Sequence, residues 1–457
     1  MNATRRLTGL AAFMALCLVL GSASGAYAQA AAPAAGGQDQ AAGKQQYTMA
    51  EYNSYKACAD DRVPASQVKC FDDFVSKYPN SFLLIYVYPA YIQAYGAQKN
   101  YPKLIESADK LTALGDKAEA LVRLQGLYAR ASSYLALSPA DQTAQAKAQR
   151  DASALGLKLL DEVKKPEGAT DQAFNDSKRT YAILFNNAAA QAATLQKDFA
   201  AAARSYKAVL ALAPDDPITH YLLGKTYLAM TPPQQMEAFW HVAKAITSKT
   251  ATDAQKKQLT PYLKKLILAY QGGTVCDSLS DSEFNELLQL AGTAADRPES
   301  YKLLSTADLE TARKDMTIAS VIADLKAGGD KAKVTWFASC GLEFPDVPGK
   351  LMEVVASAAD PVVLKLAFVT SQAEFDAATA PDMEVKVVGQ PEAGKLNKDE
   401  TPAPRFTGTL MTYDPAPAFM LHWDKAKVNA EDLPKEKAKP APKKPPVRRP
   451  APKKPSS

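Results

Sequence analysis

Histidine, the commonest catalytic base, is scarce in this sequence, and its spacing limits the chemistry that the chain can perform. The 457 residues include three histidines, His220, His241 and His422. No two of them stand four residues apart, and the H-E-x-x-H zinc motif is absent. We interpret His220 and His241, which lie in an apolar helix-forming context, as packed and hydrogen-bonded side chains. The sequence therefore predicts no metal site and no catalytic histidine.

Two acidic pairs, Asp215 with Asp216 and Asp281 with Glu283, have the residue types that glycoside hydrolysis requires. Both pairs stand where helices are expected to begin, and acidic side chains at a helix start cap its free N–H groups. We therefore interpret both as capping residues. The chain also lacks the nucleophile-elbow, P-loop and dinucleotide-binding motifs. We expect a protein that is not an enzyme and that needs no cofactor.

Four of the five cysteines lie beyond residue 28, an even number that favours disulfide pairing. Cys58 and Cys70 flank a proline-containing turn, so a bond between them would lock a helical hairpin and contribute roughly 3 kcal/mol in the chain-entropy model. Cys276 would then pair with Cys340. Free buried thiols are the alternative. A zinc site is disfavoured, because there is no C-x2-C pair and no histidine lies near the four cysteines.

The N-terminus has the three parts of a secretory signal: Arg5 and Arg6, an apolar run over residues 7–20, and a small-residue site ending at Ala28. The alternative is a membrane anchor, but the run is short for the roughly 20 residues that cross a bilayer. We predict a cleaved signal peptide, residues 1–28, and a periplasmic or secreted product with no integral membrane span. An oxidising compartment agrees with paired cysteines.

Residues 47–328 are rich in Ala and Leu and have apolar residues at helical spacing, as at Leu121, Leu124 and Tyr128. Proline-containing turns divide this region into short segments, which predicts antiparallel helix pairs. Residues 29–46, rich in Ala, Gly and Gln, predict a disordered leader. The fold class we expect is mainly α.

The part of this region from Phe199 to Ile246 contains a set of residues with a repeat period. They are Ala202, Tyr206 and Pro214, then Leu223, Gly224, Tyr227, Trp240 and Ala243. Tyr206 and Trp240 are 34 residues apart, and this set resembles the tetratricopeptide repeat family. The resemblance implies a solenoid of helix-turn-helix repeats, in which small residues let paired helices approach closely. We expect four or five hairpins; a helical bundle without repeats is the alternative.

The tetratricopeptide resemblance also implies a groove, lined by the first helix of each repeat, that binds extended peptides or partner proteins. The positions that it places in this groove are Asn187, Gln191, Thr194, Tyr221, Lys225 and Leu228. Their amides and lysine suit hydrogen bonds to a peptide backbone or a carboxylate. The alternative is that these residues are simply solvated.

Residues 329–430 change to β-forming composition, beginning with a β-rich stretch from Val334 to Phe337. The five predicted strands are 350–355, 362–369, 383–388, 405–413 and 418–428, with a short helix within 371–379. This arrangement resembles an OB-type barrel, a fold that binds oligonucleotides or oligosaccharides. A different small β-sandwich is the alternative.

Residues 431–457 are rich in Lys and Pro, with nine basic residues, one acidic residue and seven prolines from Lys435 onward. This composition predicts a disordered, polyproline-like arm. Its paired basic residues are Lys443, Lys444, Arg448, Arg449, Lys453 and Lys454. They suit salt-sensitive binding to anionic envelope polymers, and without aromatic residues the arm cannot stack on bases. A solubilising end is the alternative.

These regions together predict a non-catalytic, exported scaffold or adaptor. The helical repeats would bind a protein or peptide, and the basic arm would attach to anionic polymers of the cell envelope. The alternative is a polysaccharide- or nucleic-acid-binding protein that uses the β-domain and the arm. Exposed aromatic side chains on one barrel face, among Phe406, Tyr413, Phe419 and Trp423, would favour that alternative.

Overall fold

A computed structural model of the chain describes residues 46–273, 276–356, 361–398 and 401–434. The predicted signal peptide, the leader up to residue 45 and the basic arm from Lys435 onward lie outside the described residues. Within them, a series of helices precedes a five-stranded barrel, as the sequence predicts. No helix in these ranges has the length and apolar character needed to cross a membrane.

The chain divides into two compact units, with the boundary between Ser133 and Tyr134. The helices up to this boundary are α1 (Met49–Ala59), α2 (Pro64–Lys77), α3 (Leu84–Ala97), α4 (Tyr101–Ala113) and α5 (Ala120–Ala136). A short 3-10 turn, Gly115–Lys117, precedes α5. The boundary therefore falls inside α5.

The core of the first unit is largely aromatic. Phe71 and Phe74 of α2 are buried, and they share an apolar cluster with Tyr91 of α3. The rings of Phe71 and Tyr91 meet edge to face with centroids 5.9 Å apart. The Tyr91 hydroxyl donates to Asp72 Oδ1 at 2.6 Å, so its polar end is satisfied while the ring is buried.

Ten further helices occupy the start of the second unit. They are α6 (Pro139–Glu162), α7 (Asp171–Leu195), α8 (Phe199–Leu212), α9 (Pro217–Ala229), α10 (Gln235–Thr247), α11 (Asp253–Tyr270), α12 (Asp277–Thr293), α13 (Thr306–Arg313), α14 (Ile318–Ala327) and α15 (Gly329–Ser339). Consecutive helices from α6 to α11 pack against one another. Side chains of Ser138, Thr170, Asp198 and Asp216 accept backbone N–H groups where α6 to α9 begin. The result is a repeat-like series of helix pairs.

Glycine sets the spacing within the α9–α10 pair. A Cβ atom on Gly224 of α9 would lie 3.0 Å from both the Ala238 carbonyl oxygen and Val242 Cγ2 of α10. Trp240 of α10, 2% exposed, packs beside this contact in the helical core. The sequence expectation that Gly224 permits close helix approach is therefore met.

Five strands form a closed barrel. They are β1 (Glu343–Ala356), β2 (Val362–Phe368), β3 (Met383–Val387), β4 (Arg405–Asp414) and β5 (Met420–Val428). Their order around the barrel is β1-β2-β3-β5-β4, with β3 parallel to β5 and every other pair antiparallel. Bulges in β1 let its first part pair with β4 and its second part with β2. A short helix, α16 (Gln372–Ala377), links β2 and β3 as predicted.

The predicted β character of Val334 to Phe337 is wrong, because this segment belongs to α15. The buried residues of α15 include Ala332, Trp336 and Ser339, which have the spacing of one helical face. Tertiary packing overrides the local β propensity here. Residues of α14 and α15 share one apolar cluster with the barrel interior, and the barrel's first strand begins at Glu343.

Candidate functional site

The tetratricopeptide-like residues form the interior of the α7–α10 region. Ala202, Tyr206 and Tyr227 are buried in one apolar cluster, which also contains Ala190 and Leu223. Helices α7, α8 and α9 therefore meet through small and aromatic side chains. This core fixes the two helices, α7 and α9, that bear the predicted groove residues.

Two of the predicted groove residues are engaged within the protein. Gln191 Nε2 of α7 donates to Gln142 Oε1 of α6 at 2.6 Å. Thr194 Oγ1 donates to the Ala190 carbonyl oxygen, one turn earlier on α7, at 2.8 Å. Asn187 is half-buried on the same helix. Gln191 and Thr194 are thus less available to a ligand than the sequence suggests.

The structure brings Tyr221 and Lys225 together and adds a residue that the sequence did not indicate. Lys225 is exposed, and its Nζ lies 5.6 Å from the centroid of the Tyr221 ring. Tyr262 of α11 meets Tyr221 edge to face, with ring centroids 6.1 Å apart. We call Tyr221, Lys225 and Tyr262 the α9–α11 patch. The cation over Tyr221 and the adjoining Tyr262 ring together present positive charge and a half-exposed apolar surface.

Tyr262 was missed because α11 lacks the small-residue signature of the preceding α9–α10 pair. The available signal was its place in the next helix after the α9–α10 pair, where a repeat would put another groove-lining helix. Burial raises the pKa of the Tyr262 hydroxyl, so Tyr262 stays protonated at neutral pH. Leu228, the last predicted groove residue, is half-buried against the cluster that joins α7, α8 and α9. Among the described residues, no hydrogen bond, ion pair or ring contact links the α7 positions to the patch.

His220, which is buried, and His241, which is partly buried, form a pair between α9 and α10. Their Nδ1 atoms are 3.0 Å apart, and His220 Nε2 lies 2.9 Å from the Pro214 carbonyl oxygen. A carbonyl only accepts, so His220 Nε2 carries a proton and the neutral ring accepts at Nδ1 from His241 Nδ1–H. Burial lowers the pKa of both rings, that of His241 to about 3. The interpretation of both histidines as packed and hydrogen-bonded agrees with this geometry.

The third histidine, His422 on β5, lies between two carboxylates. Its Nδ1 is 3.3 Å from Glu384 Oε1 on β3, and its Nε2 is 2.9 Å from Asp414 Oδ2 at the end of β4. The parallel register that pairs Glu384 with His422 brings the first two together. No sequence signal marks this contact, because strand register is not visible in the sequence. The two nitrogens face different carboxylates, an arrangement that ties three strands together.

The capping interpretation is right for Asp216 and wrong for the Asp281–Glu283 pair. Asp216 caps α9, whereas α12 begins at Asp277 after Cys276. Asp281 instead pairs with Lys264 Nζ at 2.5 Å. Glu283 is 2% exposed, and its Oε2 accepts Gln271 Nε2 at 2.5 Å. Burial raises the Glu283 pKa to about 7.

Two atoms beside Glu283 lack partners among the described residues. They are the Gln271 side-chain oxygen and the Tyr301 hydroxyl, both buried. Glu283 and Tyr301 interact electrostatically, and burial raises the Tyr301 pKa as well. Glu283, Gln271 and Tyr301 thus form a buried polar cluster, which we call the Glu283 cluster. Uncompensated polar atoms of this kind destabilise a folded protein.

Both predicted disulfides are confirmed. Cys58 bonds to Cys70 and joins α1 to α2. Cys276 bonds to Cys340 and joins the start of α12 to the end of α15, directly before the barrel. The second crosslink therefore ties the helical region to the segment that enters β1.

The aromatic residues of the barrel do not form an exposed face. Phe406 and Trp423 are buried and meet edge to face with centroids 5.3 Å apart. Tyr413 packs on Trp336 of α15 with centroids 4.8 Å apart. Phe419 is half-buried, with Lys326 Nζ 5.1 Å from its ring centroid. These rings serve packing, both inside the barrel and against the preceding helices.

Comparisons of the chain with models of protein families, with curated proteins and with solved structures found no match. Across the described ranges, no group of three or more His, Cys, Asp and Glu side chains is placed to hold a metal ion. The α9–α11 patch and its surroundings must therefore be interpreted from their own geometry.

Proposed function

We propose that this protein is a non-catalytic, exported scaffold or adaptor that binds a protein or peptide through the helical region of its second unit. The α9–α11 patch carries the proposal. Lys225 is exposed above Tyr221, and Tyr262 extends the aromatic surface onto another helix. Tyrosine is enriched where proteins recognise one another, and an exposed lysine offers charge complementarity to an acidic partner.

The proposal includes a tetratricopeptide-like arrangement of α7 to α10. Its support is the burial of Ala202, Tyr206, Trp240 and Ala243 and the steric need for glycine at Gly224. In such an arrangement the first helices of successive repeats bind an extended chain. Lys225 would supply charge to a carboxylate or a backbone carbonyl of the partner, and Tyr221 and Tyr262 would contact its apolar side chains.

Export and attachment to anionic envelope polymers remain part of the proposal. Two disulfides and the lack of a membrane-spanning helix among the described residues fit an oxidising, extracellular setting. The basic arm would add electrostatic attraction that weakens as salt rises.

The alternative is a polysaccharide- or nucleic-acid-binding barrel of the OB type. The strand order with β3 parallel to β5, together with the bulged first strand shared by two neighbours, supports the OB-type proposal for the fold. The burial of Phe406 and Trp423 removes the stacking platform that this binding function needs. We therefore favour the helical region as the binding surface.

The test is a crosslinked pull-down from cell-envelope extract with the full chain and with a version ending at Pro434. Both are compared at low and high salt. A discrete protein captured by both versions, and retained about tenfold less by Lys225→Glu, supports the proposal; tenfold corresponds to a loss of about 1.4 kcal/mol. Lys257→Glu, a change at an exposed lysine on α11, is the matched control and should bind normally. Recovery of anionic polymer alone, lost with the arm or with salt, would overturn it.

A further inference from the structure

Four tyrosines of the first unit form a contiguous, partly exposed surface. Tyr47 and Tyr52 stack with centroids 6.0 Å apart, and Tyr55 and Tyr86 lie 6.0 Å apart at a tilt. Tyr52 interacts electrostatically with Tyr55, and Tyr47 with Tyr86, so the two ring pairs lie near each other. We call these four residues the tyrosine quartet. It belongs to no feature assigned above.

The quartet packs on the aromatic core on one side and is partly exposed on the other. Tyr55 packs on Phe71 and Phe74 of the aromatic core, with centroids 6.0 and 6.3 Å away. Tyr86 is 36% exposed, and Met49 beside Tyr52 on the first turns of α1 is 58% exposed. None of the four hydroxyls has a hydrogen-bond partner among the described residues. A supported aromatic surface with four unused hydroxyls is suited to a ligand that offers carbonyl acceptors and flat apolar rings.

The sequence itself contains such a ligand. The hexapeptide PAPKKP occurs at residues 440–445 and again at 450–455, and each copy contains a P-x-x-P motif. Proline fixes φ and lacks an N–H, so proline-rich peptides favour the polyproline II helix, whose carbonyls are free to accept. Aromatic-lined surfaces recognise P-x-x-P segments through these features.

Charge agrees with this pairing. Glu119 is exposed beside Tyr86 and has no ion-pair partner among the described residues. Asp60 lies near Tyr55, where it pairs with Lys56. Each PAPKKP copy places two lysines between its prolines. A carboxylate at the rim of the quartet would attract them, as acidic rims do in basic-peptide recognition.

We propose that the tyrosine quartet binds the PAPKKP repeats of a second copy of this chain. The two hexapeptide copies give one arm two equivalent ligands, so contacts between chains can multiply and raise overall affinity. This inference does not depend on the α9–α11 patch. It gives the arm a sequence-specific role in place of a purely electrostatic one.

The test titrates a synthetic peptide of residues 438–457 into the full chain. The arm of that chain has lost its own P-x-x-P motifs through four substitutions, Pro442→Ala, Pro445→Ala, Pro452→Ala and Pro455→Ala. Calorimetry should show saturable binding that persists in 0.5 M salt, a concentration at which screening extends only about 4 Å. A peptide with the same four alanines keeps every charge and should bind at least tenfold more weakly. Equal binding of the two peptides, or no saturable binding, would overturn the proposal.

Variants locate the site. Tyr86→Ser and Tyr52→Ser should each weaken peptide binding about tenfold, while Tyr101→Ser, a half-buried tyrosine outside the quartet, should leave it unchanged. Circular dichroism checks that each variant folds, and the two quartet variants serve as replicates. Unchanged affinity in folded quartet variants would place the site elsewhere. In sedimentation, the unmodified chain should gain mass with concentration and the four-proline variant should not; a chain that stays monomeric overturns the assignment to a second copy.

Discussion

Two polar clusters in the interior of the second unit differ in how completely their polar atoms are hydrogen-bonded. The His220–His241 pair engages three of its four ring nitrogens internally, through a bond between the rings and a bond to a backbone carbonyl. The Glu283 cluster makes one strong hydrogen bond but leaves the Gln271 oxygen and the Tyr301 hydroxyl without described partners. The first arrangement joins two helices, whereas in the second the desolvation cost of two buried polar atoms is not offset by hydrogen bonds. The difference predicts opposite responses to pH and to mutation.

The largest expected effect comes from Glu283→Gln. Burial raises the folded-state pKa of Glu283 to about 7 from its ordinary value of 4.5. The native state therefore binds the Glu283 proton more tightly than the unfolded state does. The stabilisation that this proton gives is fully present below pH 4.5 and is lost as pH rises through 7. The amide keeps the shape without titrating, so the variant should lack this loss, worth up to about 3 kcal/mol. Urea unfolding between pH 4.5 and 7.5 measures it; a variant that keeps the wild-type slope would contradict the cluster's role.

The histidine pair should show the reverse dependence. Burial lowers the folded-state pKa of His241 to about 3 from 6.5. The stabilisation that the neutral ring gives is fully present above pH 6.5 and is lost as pH falls toward 3. At pH 5 the loss relative to neutral pH is about 2 kcal/mol for one such ring. His241→Phe should reduce this acid-induced loss while lowering stability at pH 7, because His220 Nδ1 loses its partner. The same urea series measures it, with Glu283→Gln as the variant of opposite sign.

Two helical glycines extend the comparison from polar groups to packing. A Cβ on Gly224 would meet α10 backbone and Val242 at 3.0 Å, whereas one on Gly292 of α12 would lie 3.8 Å from the nearest atom, in Thr247. Gly224→Ala should destabilise by about 1–3 kcal/mol through overpacking. Gly292→Ala should stabilise by about 0.5–1 kcal/mol because alanine favours helix. Thermal unfolding of the two variants compares them directly; equal shifts would show that the packing around α12 is as tight as in the α9–α10 pair.

The difference between the two regions also explains what could be predicted from the sequence. The α9–α10 pair follows a local periodic pattern, and so the resemblance to tetratricopeptide repeats identified Gly224 and Trp240 and indicated that the two histidines are packed. The contacts of Glu283 depend on how α11, α12 and Tyr301 meet in three dimensions, which no short spacing encodes. The same limit explains why Tyr262 was missed and why the segment containing Trp336 was predicted to have β character.

The predicted barrel and disulfides succeeded for related reasons. Alternating β-formers separated by prolines marked four of the strands closely, because each alternation reflects a strand with one buried face. The long, bulged β1 was predicted too short, since its early residues pair with β4, far along the chain. Cys276 and Cys340 were paired only by elimination. In the structure, Leu279 of α12 packs on the apolar cluster that contains Phe337 of α15, which places the two cysteines near each other.

The smallest expected effect tests the unsatisfied hydroxyl itself. Tyr301→Phe removes a buried hydroxyl that has no partner among the described residues, and so it should stabilise the protein by about 1 kcal/mol. Tyr206→Phe is the matched control, since the Tyr206 hydroxyl interacts with the Thr194 side chain and its loss should cost about 1 kcal/mol. Urea unfolding at pH 6 resolves the two signs. If both variants lose stability equally, the Tyr301 hydroxyl has a hydrogen-bond partner in solution, such as an ordered water. The Glu283 cluster would then resemble the histidine pair more closely than its direct contacts indicate.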